Sequence, residues 1–474
     1  MDRLFQRIVR ERFLNDEESL RAYSYDGGLE AAPRFVLKPR SEEELRRLLV
    51  LANQYRAPIV PRGGGTGLRG GTVKEGGVIV DLRLFSTVRV DRQRGVADVG
   101  AGVPVQKLNR LLAREGLAFP LVPESPAATI GGMAAVNMVT EESFRHGDFL
   151  ELVEQAECFD GVGRFLTLKG GELARVIGKE GATAIITRLR VRLTRLAPYS
   201  LDVVETSNPL ADAARLAREE LLALEYLCPR SSRALGLPEK EHLFALREGE
   251  RGRRRGGEAR SLWEARKRLV ARLWEGGFTL VEEASLGEEA VSRFLRLCRE
   301  LGAPCYGHLG IGVLTAQLSS GADSFRARVV ALGGRPAGKH GYGRVKAAYA
   351  PEGLRREVSK IKESWDYNKV LNPGLFAREQ RLVAGGRAPP VSARRALYEE
   401  ENPFSLDARL SNRHVLFLAA KGVLSPWLYK CSVGVSEEFD EAVIGARERL
   451  VRSGVESVGG RRVLDRLRAG KTPF

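Results

Sequence analysis

A dense run of glycines near the start of the chain could bind an anionic group. Residues 61–71 read Pro-Arg-Gly-Gly-Gly-Thr-Gly-Leu-Arg-Gly-Gly, directly after an apolar run at 57–60. Glycine at this density lets backbone N–H groups approach a ligand closely and form an anion-binding nest. Thr66 adds a hydroxyl donor within the run. The segment therefore predicts a strand followed by a loop that binds the diphosphate of a nucleotide cofactor.

Two better-known glycine motifs differ from this run. A P-loop ends in Gly-Lys-Ser/Thr, and no lysine follows these glycines. A Rossmann turn has Gly-x-Gly-x-x-Gly at the start of a helix. Residues 65–70 fit that spacing, but residues 71–82 continue as a loop and a strand. A flexible loop without a ligand is disfavoured, because strand-like segments bound the run closely on both sides.

Two further blocks of small residues follow, at 123–137 and 177–187. In this order the three blocks resemble the FAD-binding domain of the vanillyl-alcohol-oxidase superfamily, and most of all the D-lactate, glycolate and D-2-hydroxyglutarate dehydrogenases. The resemblance runs from about Tyr23 to Phe376. It implies that the first loop binds the diphosphate and that the later blocks bind the rest of FAD. Because the first loop has neither His nor Cys, FAD is predicted to be bound non-covalently.

The residues that the resemblance assigns to FAD lie in these three blocks and in an Asn-Pro-Gly motif at 372–374. They are Pro61, Arg62, Gly63, Gly64, Gly65, Thr66, Gly67, Leu68, Gly70, Pro123, Ser125, Thr129, Gly131, Gly132, Glu180, Ile185, Ile186 and Asn372.

The catalytic region implied by the resemblance is where this chain departs from its relatives. Metal-dependent members carry a Gly-His-x-Gly-Asp-Gly-Asn-x-His block and a Gly-Glu-His-Gly block, whose first two histidines and glutamate bind a divalent metal. Here the first block keeps His308 but has Thr315 in place of the second histidine. In the second block Lys339 replaces the glutamate before His340. One imidazole beside an ammonium does not make a zinc site, so no catalytic metal is predicted.

Two interpretations of Lys339 stay open. In the first, its ammonium replaces the positive charge of the metal, while His340 remains the general base that takes the hydroxyl proton. In the second, the site has lost its activity. His308 is either part of the site or a structural residue at a strand end. Arg266, in a Leu-Trp-x-x-Arg sequence, either receives a substrate carboxylate as a bidentate partner or is an ordinary residue of a surface helix.

Hydrophobic patterns predict the elements that position these residues. Residues 41–44 form a capping box before a helix with apolar residues at helical spacing. Strands are predicted at 79–82, 88–90 and 96–99, and farther on at 201–205 and 278–282. A helix is predicted over 210–224, because Pro209 suits a helix start.

With the resemblance, these elements predict an α+β fold of three parts. A two-subdomain, PCMH-type FAD-binding domain covers 1–200, and an α+β, ferredoxin-like cap or substrate domain covers 201–376. A C-terminal helical extension covers 377–474. Residues 429–451 of the extension resemble a degenerate remnant of an iron–sulfur subunit. A cluster needs four thiolates and the extension has only Cys431, so we expect no cluster and a helix that contacts a partner subunit.

Composition limits the partners. The chain of 474 residues has a net charge of +16, but it shows no recognition motif for nucleic acid. The arginine cluster at 251–255 is interpreted as a solvated loop or as a docking point for an acidic partner. Five cysteines without paired spacing indicate reduced thiols, and no apolar run approaches the roughly 20 residues of a membrane span. A cytoplasmic location is predicted, with membrane association only through a partner.

The function predicted from these features is FAD-dependent oxidation of a small D-2-hydroxy acid of the lactate or glycolate type. Hydride would pass to flavin N5 without a divalent metal, and the electrons would continue to an acceptor protein or a quinone. The alternative is a catalytically degenerate FAD-binding subunit that supports assembly or electron transfer in a hydroxyacid dehydrogenase complex.

Overall fold

A computed structural model describes residues 1–26, 29–250 and 252–376 of the chain. These residues form an α+β fold, as predicted. The helices are α1 (Asp2–Val9), α2 (Glu17–Tyr23), α3 (Glu42–Tyr55), α4 (Val105–Ala113), α5 (Ile130–Val136), α6 (Ser143–His146), α7 (Pro209–Leu216), α8 (Pro229–Ala234), α9 (Gly256–Lys267), α10 (Leu269–Glu275), α11 (Glu288–Glu300), α12 (Ala322–Ala331) and α13 (Glu352–Trp365). The extension predicted at 377–474, with its iron–sulfur resemblance, lies outside the described residues.

The strands form three main sheets and two short pairs. They are β1 (Phe13–Leu14), β2 (Tyr25–Asp26), β3 (Leu29–Glu30), β4 (Phe35–Leu37), β5 (Ile59–Arg62), β6 (Val78–Asp81), β7 (Val88–Asp91), β8 (Val96–Gly100), β9 (Leu117–Ala118), β10 (Val153–Asp160), β11 (Phe165–Lys169), β12 (Ala184–Arg192), β13 (Thr194–Arg195), β14 (Tyr199–Thr206), β15 (Ala223–Leu227), β16 (Glu241–Glu248), β17 (Leu280–Ser285), β18 (Cys305–His308) and β19 (Val313–Leu318).

The first sheet presents the glycine loop. Its strand order is β1-β4-β6-β5, with β4 and β5 both parallel to β6. Helix α3 covers it and starts as predicted, because the Ser41 hydroxyl accepts a hydrogen bond from the Glu44 amide at 3.2 Å. Strand β5 ends at Arg62, so the glycine run leaves the sheet at the carboxyl end of a parallel pair, where ligands of α/β sheets commonly bind.

The second sheet is antiparallel, in the order β11-β10-β12-β8-β7. Strand β12 joins it to the first sheet: Ile185 packs into the core of the first sheet, and Ile186 packs into that of the second. Helix α5 begins beside this strand, where the Thr129 hydroxyl accepts from the Gly132 amide at 3.2 Å. The second small-residue block therefore ends as a capped helix.

The third sheet is antiparallel, in the order β14-β16-β15-β18-β19-β17. Helices α7, α11 and α12 pack on one face, and α9 and α10 pack on the other. The helix predicted over 210–224 is wrong in its second half, since α7 ends at Leu216 and β15 starts at Ala223. Strand β15 reads Ala-Leu-Glu-Tyr-Leu and is buried on both faces, so it lacks the alternation of apolar and polar residues that identifies a half-buried strand.

The division of the chain predicted near residue 200 stays a prediction. The third sheet begins at Tyr199 with β14. The last described segment returns to the first sheet, where Leu371 forms a bridge with Ile59 and the Asn372 amide donates to the Ile59 carbonyl at 2.7 Å. Among the described residues, every helix is too short or too polar to cross a lipid bilayer.

Candidate active site

The glycine loop and the second small-residue block press against each other. A Cβ atom on Gly64 would lie 1.8 Å from the Ala127 carbonyl oxygen, and one on Gly63 would lie 2.3 Å from the Thr129 hydroxyl. Gly65 has a φ of +65°, which favours glycine. The close approach explains why this loop is built of glycine, and it leaves backbone as the main surface of the cavity beside it.

The cavity beside the glycine loop, named the flavin cavity for the cofactor predicted to occupy it, lies between the first two small-residue blocks and the start of β12. Thirteen of the residues predicted to bind the cofactor line it: Pro61, Arg62, Gly63, Gly64, Gly65, Thr66, Gly67, Thr129, Gly131, Gly132, Glu180, Ile185 and Ile186. Its glycine-built wall fits a nucleotide cofactor with a diphosphate.

The remaining five predicted cofactor residues lie elsewhere. Leu68, Pro123 and Ser125 line a second, adjoining cavity. Gly70 donates its amide to Asp26 at 2.7 Å. Asn372 donates to the carbonyls of Gly71 and Glu180, at 3.0 and 2.9 Å. Gly70 and Asn372 line neither cavity, and their contacts shape the loops rather than the cavity surface.

The second cavity has an empty volume of about 770 Å³. It shares four lining residues with the flavin cavity: Thr66, Ala128, Met138 and His340. Of these four, His340 alone has a side chain that can act as a general base. The predicted base therefore lies where the two cavities meet.

His340 is held by a buried carboxylate. Its Nδ1 forms a short hydrogen bond with Oε1 of Glu283, and its backbone amide lies 3.4 Å from Glu283 Oε2. Burial opposes ionisation of Glu283, but His340 and Arg69 outweigh it and hold the pKa of Glu283 well below its usual value. A carboxylate at Nδ1 keeps the proton on that nitrogen, so Nε2 is the basic atom.

Lys339 lines the second cavity and is paired with a carboxylate. Its Nζ lies 2.5 Å from Oε1 of Glu124, which lines the same cavity. Burial alone would lower the pKa of Lys339, but Glu124 and Glu141 outweigh it and raise the pKa. The residue is therefore a cation, and its charge is already balanced.

His308 lies deeper, at the end of β18. It is buried, and its Nδ1 lies 2.7 Å from Oε1 of Glu225 on β15. It lines neither cavity. Of the two roles weighed for His308 from sequence, this position favours the structural one.

Arg266 is also displaced from the cavities. Its side chain is fully buried, it makes a short hydrogen bond with Glu225, and its guanidinium lies 4.9 Å from the centre of the Tyr306 ring. Its Nη1 lies 3.9 Å from both Glu124 and Glu141. The expectation of a surface-helix arginine is wrong, because three carboxylates draw this side chain inward. A direct contact with a substrate carboxylate is not favoured, since Arg266 lines neither cavity.

The same cluster contains the one group of potential metal ligands found among the described residues. Carboxylate oxygens of Glu141 and Glu225 and a ring nitrogen of His308 lie within 4.8 Å of one another. Arg266 contacts both carboxylates, so a cation already occupies the position of greatest negative charge. The absence of a catalytic metal stays a prediction.

Three residues of the site were missed from sequence. Arg69 lines the flavin cavity, Glu124 pairs with Lys339, and Glu283 holds His340. Arg69 offered a signal, since it is a long cation in a loop of small residues. Glu283 offered another, because it directly follows the strand predicted at 278–282, and adjacent glutamates in an extended segment place one carboxylate on each face.

Comparisons with known proteins agree with the site. Residues 33–169 match the family described as FAD binding domain, and residues 245–375 match FAD linked oxidases, C-terminal domain. D-lactate dehydrogenase of Archaeoglobus fulgidus is 28% identical over 422 residues, covering 74% of this chain and 93% of the relative. Glycolate oxidase subunit GlcD of Bacillus subtilis is 26% identical over 457 residues, which cover 80% of this chain and 97% of that relative.

A solved structure of alkyldihydroxyacetonephosphate synthase has the same fold, with a TM-score of 0.58 at 16% identity, over 77% of this chain and 84% of that one. The first family match covers the glycine loop and the second small-residue block, and the second match covers most of the third sheet. The chain thus belongs to the PCMH-type FAD-linked oxidases and is an FAD-dependent oxidoreductase.

Proposed function

We propose that this chain oxidises a small D-2-hydroxy acid, of the lactate or glycolate type, without a divalent metal. The observation that carries the proposal is the position of His340, the titratable residue shared by the flavin cavity and the second cavity. A base at that border can contact a hydroxyl group whose carbon faces the flavin. The names of the dehydrogenase relatives support the substrate class.

His340 is the general base of the proposed reaction. Its Nε2 accepts the proton of the substrate hydroxyl, and Glu283 stabilises the imidazolium that forms. Bound FAD supplies the acceptor for the hydride that leaves the carbon bearing the hydroxyl. The carbon–hydrogen bond breaks, a carbonyl forms, and the product is the 2-oxo acid.

We assign the substrate carboxylate to Lys339 rather than to Arg266. Lys339 lines the second cavity next to His340 in sequence, and Arg266 does not line it. The assignment requires the substrate to share the ammonium with Glu124, which lies 2.5 Å away. A charge-assisted hydrogen bond of this kind positions the substrate.

Anaerobic reduction of the flavin tests the proposal. Purified holoprotein is mixed with D-lactate, glycolate or D-2-hydroxyglutarate, with and without EDTA, and loss of the visible flavin absorbance is followed. We expect reduction by one of these acids that EDTA does not affect and that falls about 10²–10⁴-fold in His340→Ala. His146→Ala, at a histidine that lines neither cavity, is the control. Loss of reduction in EDTA would refute the metal-free reaction.

A second candidate function is favoured by the charges of the second cavity. Its two buried lysines are both neutralised, Lys339 by Glu124 and Lys267 by Glu142 at 3.0 Å. A cavity with balanced charge attracts an anionic acid weakly. This observation supports a degenerate FAD-binding subunit of a dehydrogenase complex. It predicts a yellow protein whose flavin chemical reductants bleach but hydroxy acids do not.

Two further assignments belong to either function. We propose that FAD is bound non-covalently, because no His or Cys lies in the glycine loop. Acid precipitation then leaves the flavin in the supernatant, whereas a yellow pellet would show a covalent bond.

We propose that the electrons leave to an acceptor protein or a quinone in the cytoplasm, and that residues 377–474 bind the partner. Deleting those residues would leave reduction of the flavin intact and slow its reoxidation by that partner.

A further inference from the structure

The flavin cavity contains a buried cation that the proposed reaction does not use. Arg69 lines this cavity and is 5% exposed. Its Nη1 donates to the Val281 carbonyl of β17 at 2.7 Å, and its Nη2 lies 3.4 Å from Oε2 of Glu283. Within the described part of the chain, Nε and Nη2 have no hydrogen-bond acceptor. A buried guanidinium with unused donors predicts an acceptor in the adjoining space when ligand is bound.

The position of Arg69 relative to His340 indicates which part of the flavin it contacts. Glu283 joins the two residues, with one oxygen near Arg69 and the other on His340 Nδ1. His340 borders both cavities, so the part of the flavin that reacts with a molecule in the second cavity must lie beside it. Arg69 is therefore placed near the isoalloxazine ring rather than near the diphosphate.

We infer that Arg69 stabilises the negative charge that the isoalloxazine ring gains on reduction, and so raises the reduction potential of bound FAD. Hydride transfer breaks a carbon–hydrogen bond of the reductant and brings two electrons and one proton to the ring. The ring is then left with one more negative charge than before. A fixed cation in a buried site stabilises this product more than the neutral oxidised ring.

Glu283 opposes this effect. Its carboxylate is fully buried and lies close to Arg69, so it neutralises part of the guanidinium charge. At a pH where His340 is neutral, removing Arg69 and removing Glu283 therefore shift the potential in opposite directions. Damage to the fold would not produce that pattern.

Sulfite binding and dye-coupled potential measurements test the inference with the holoprotein. Sulfite donates an electron pair to flavin N5 and leaves the ring negative, so it reports on the same charge without a hydroxy acid. We expect Arg69→Met to weaken sulfite binding at least tenfold and Arg69→Lys to restore most of it. A tenfold change in the two-electron equilibrium lowers the potential by about 30 mV. Arg326→Met, at a buried arginine that lines neither cavity, should leave both values unchanged.

Glu283→Gln is the second variant, and it decides the question if Arg69→Met does not fold. It should tighten sulfite binding and raise the potential. A potential that is unchanged in Arg69→Met while FAD affinity falls would assign Arg69 to the diphosphate and overturn the inference. An unchanged or lower potential in Glu283→Gln would also overturn it. Neither result bears on the substrate, because no hydroxy acid is used.

Discussion

The two cavities are lined by different kinds of residue. Glycine, alanine and threonine make up most of the residues that line the flavin cavity. The second cavity is lined by the buried charges of Lys339, Lys267 and Glu141 and by the half-buried carboxylate of Glu124. Burial opposes ionisation of Glu141. The neighbouring Lys267, His308 and Arg266 nevertheless lower the pKa of Glu141 to about 2. The charges therefore persist in pairs at neutral pH.

The difference determines how each cavity responds to change. A backbone wall with no space for a Cβ atom fails when any side chain is added. A wall of ion pairs tolerates the loss of a complete pair but not of one partner, because the remaining charge is buried without compensation. The flavin cavity is thus restricted by shape, and the second cavity is restricted by charge balance.

The largest effect is expected in the flavin cavity. Gly64→Val places side-chain atoms where the Ala127 carbonyl lies, 1.8 Å from the Cβ position. We expect the protein to fold and to be purified without visible flavin absorbance. Gly171→Ala is the matched control, because its Cβ would meet no atom within 4 Å. A yellow Gly64→Val protein would contradict the assignment of this loop to FAD.

The second largest effect is expected at His340, where the two cavities meet. Glu283→Gln removes the carboxylate from His340, and we expect reduction of the flavin by substrate to slow by about 10–100-fold. The acid limb of the pH–rate profile moves to lower pH, because the imidazolium loses its stabilising charge. Glu282→Gln is the control on the same strand: it breaks the pairs with Arg326 and Lys346 instead and should lower stability without moving the profile. Equal shifts in both variants would contradict a positioning role for Glu283.

The charge balance of the second cavity can be measured with a double-mutant cycle. Lys339→Met or Glu124→Met alone removes the nearest partner of the charge that remains, and we expect the free energy of unfolding to fall by about 3 kcal/mol. The double variant should recover most of that loss. The exposed pair Lys240–Glu205, whose side chains are 58% and 50% exposed, is the control and should couple by no more than about 1 kcal/mol. Additive losses at Lys339 and Glu124 would show that the two charges do not compensate each other.

The two cavities also differ in how much of them could be predicted from sequence. The flavin cavity is built from contiguous small residues, so residues 61–67 and 129–132 predicted it. The second cavity joins segments that lie far apart: Lys339 pairs with Glu124, 215 residues away, and His340 pairs with Glu283, 57 residues away. No local pattern encodes such pairs, which is why Glu124 and Glu283 were missed.

Local patterns also succeeded or failed for physical reasons. The start of α3 was predicted because its capping box and its apolar spacing agree. The second half of the helix predicted over 210–224 failed because β15 is buried on both faces. The surface-helix interpretation of Arg266, one of the two that the sequence left open, failed because its three carboxylates come from other parts of the chain.

The smallest effect is expected at Glu180. This buried carboxylate lines the flavin cavity and contacts the segment that carries His340. Glu180 accepts hydrogen bonds from the Tyr342 and Gly343 amides at 2.7 and 2.8 Å, and burial raises its pKa from 4.5 to about 7. The folded state therefore holds the proton at a pH where the unfolded chain has lost it. Stability from this group is complete below about pH 4.5 and is lost as the pH rises through about 7.

Thermal unfolding of the apoprotein at pH 5 and pH 8 checks this sign. The melting temperature should fall between the two pH values in the unsubstituted protein, and it should fall less in Glu180→Gln, which has no proton to lose. The exposed Glu172→Gln is the control and should follow the unsubstituted protein. Parallel pH dependence in all three proteins would mean that Glu180 is ionised when folded. In that case the amides of Tyr342 and Gly343 stabilise its charge, and Glu180 is a buried anion in the wall of the flavin cavity.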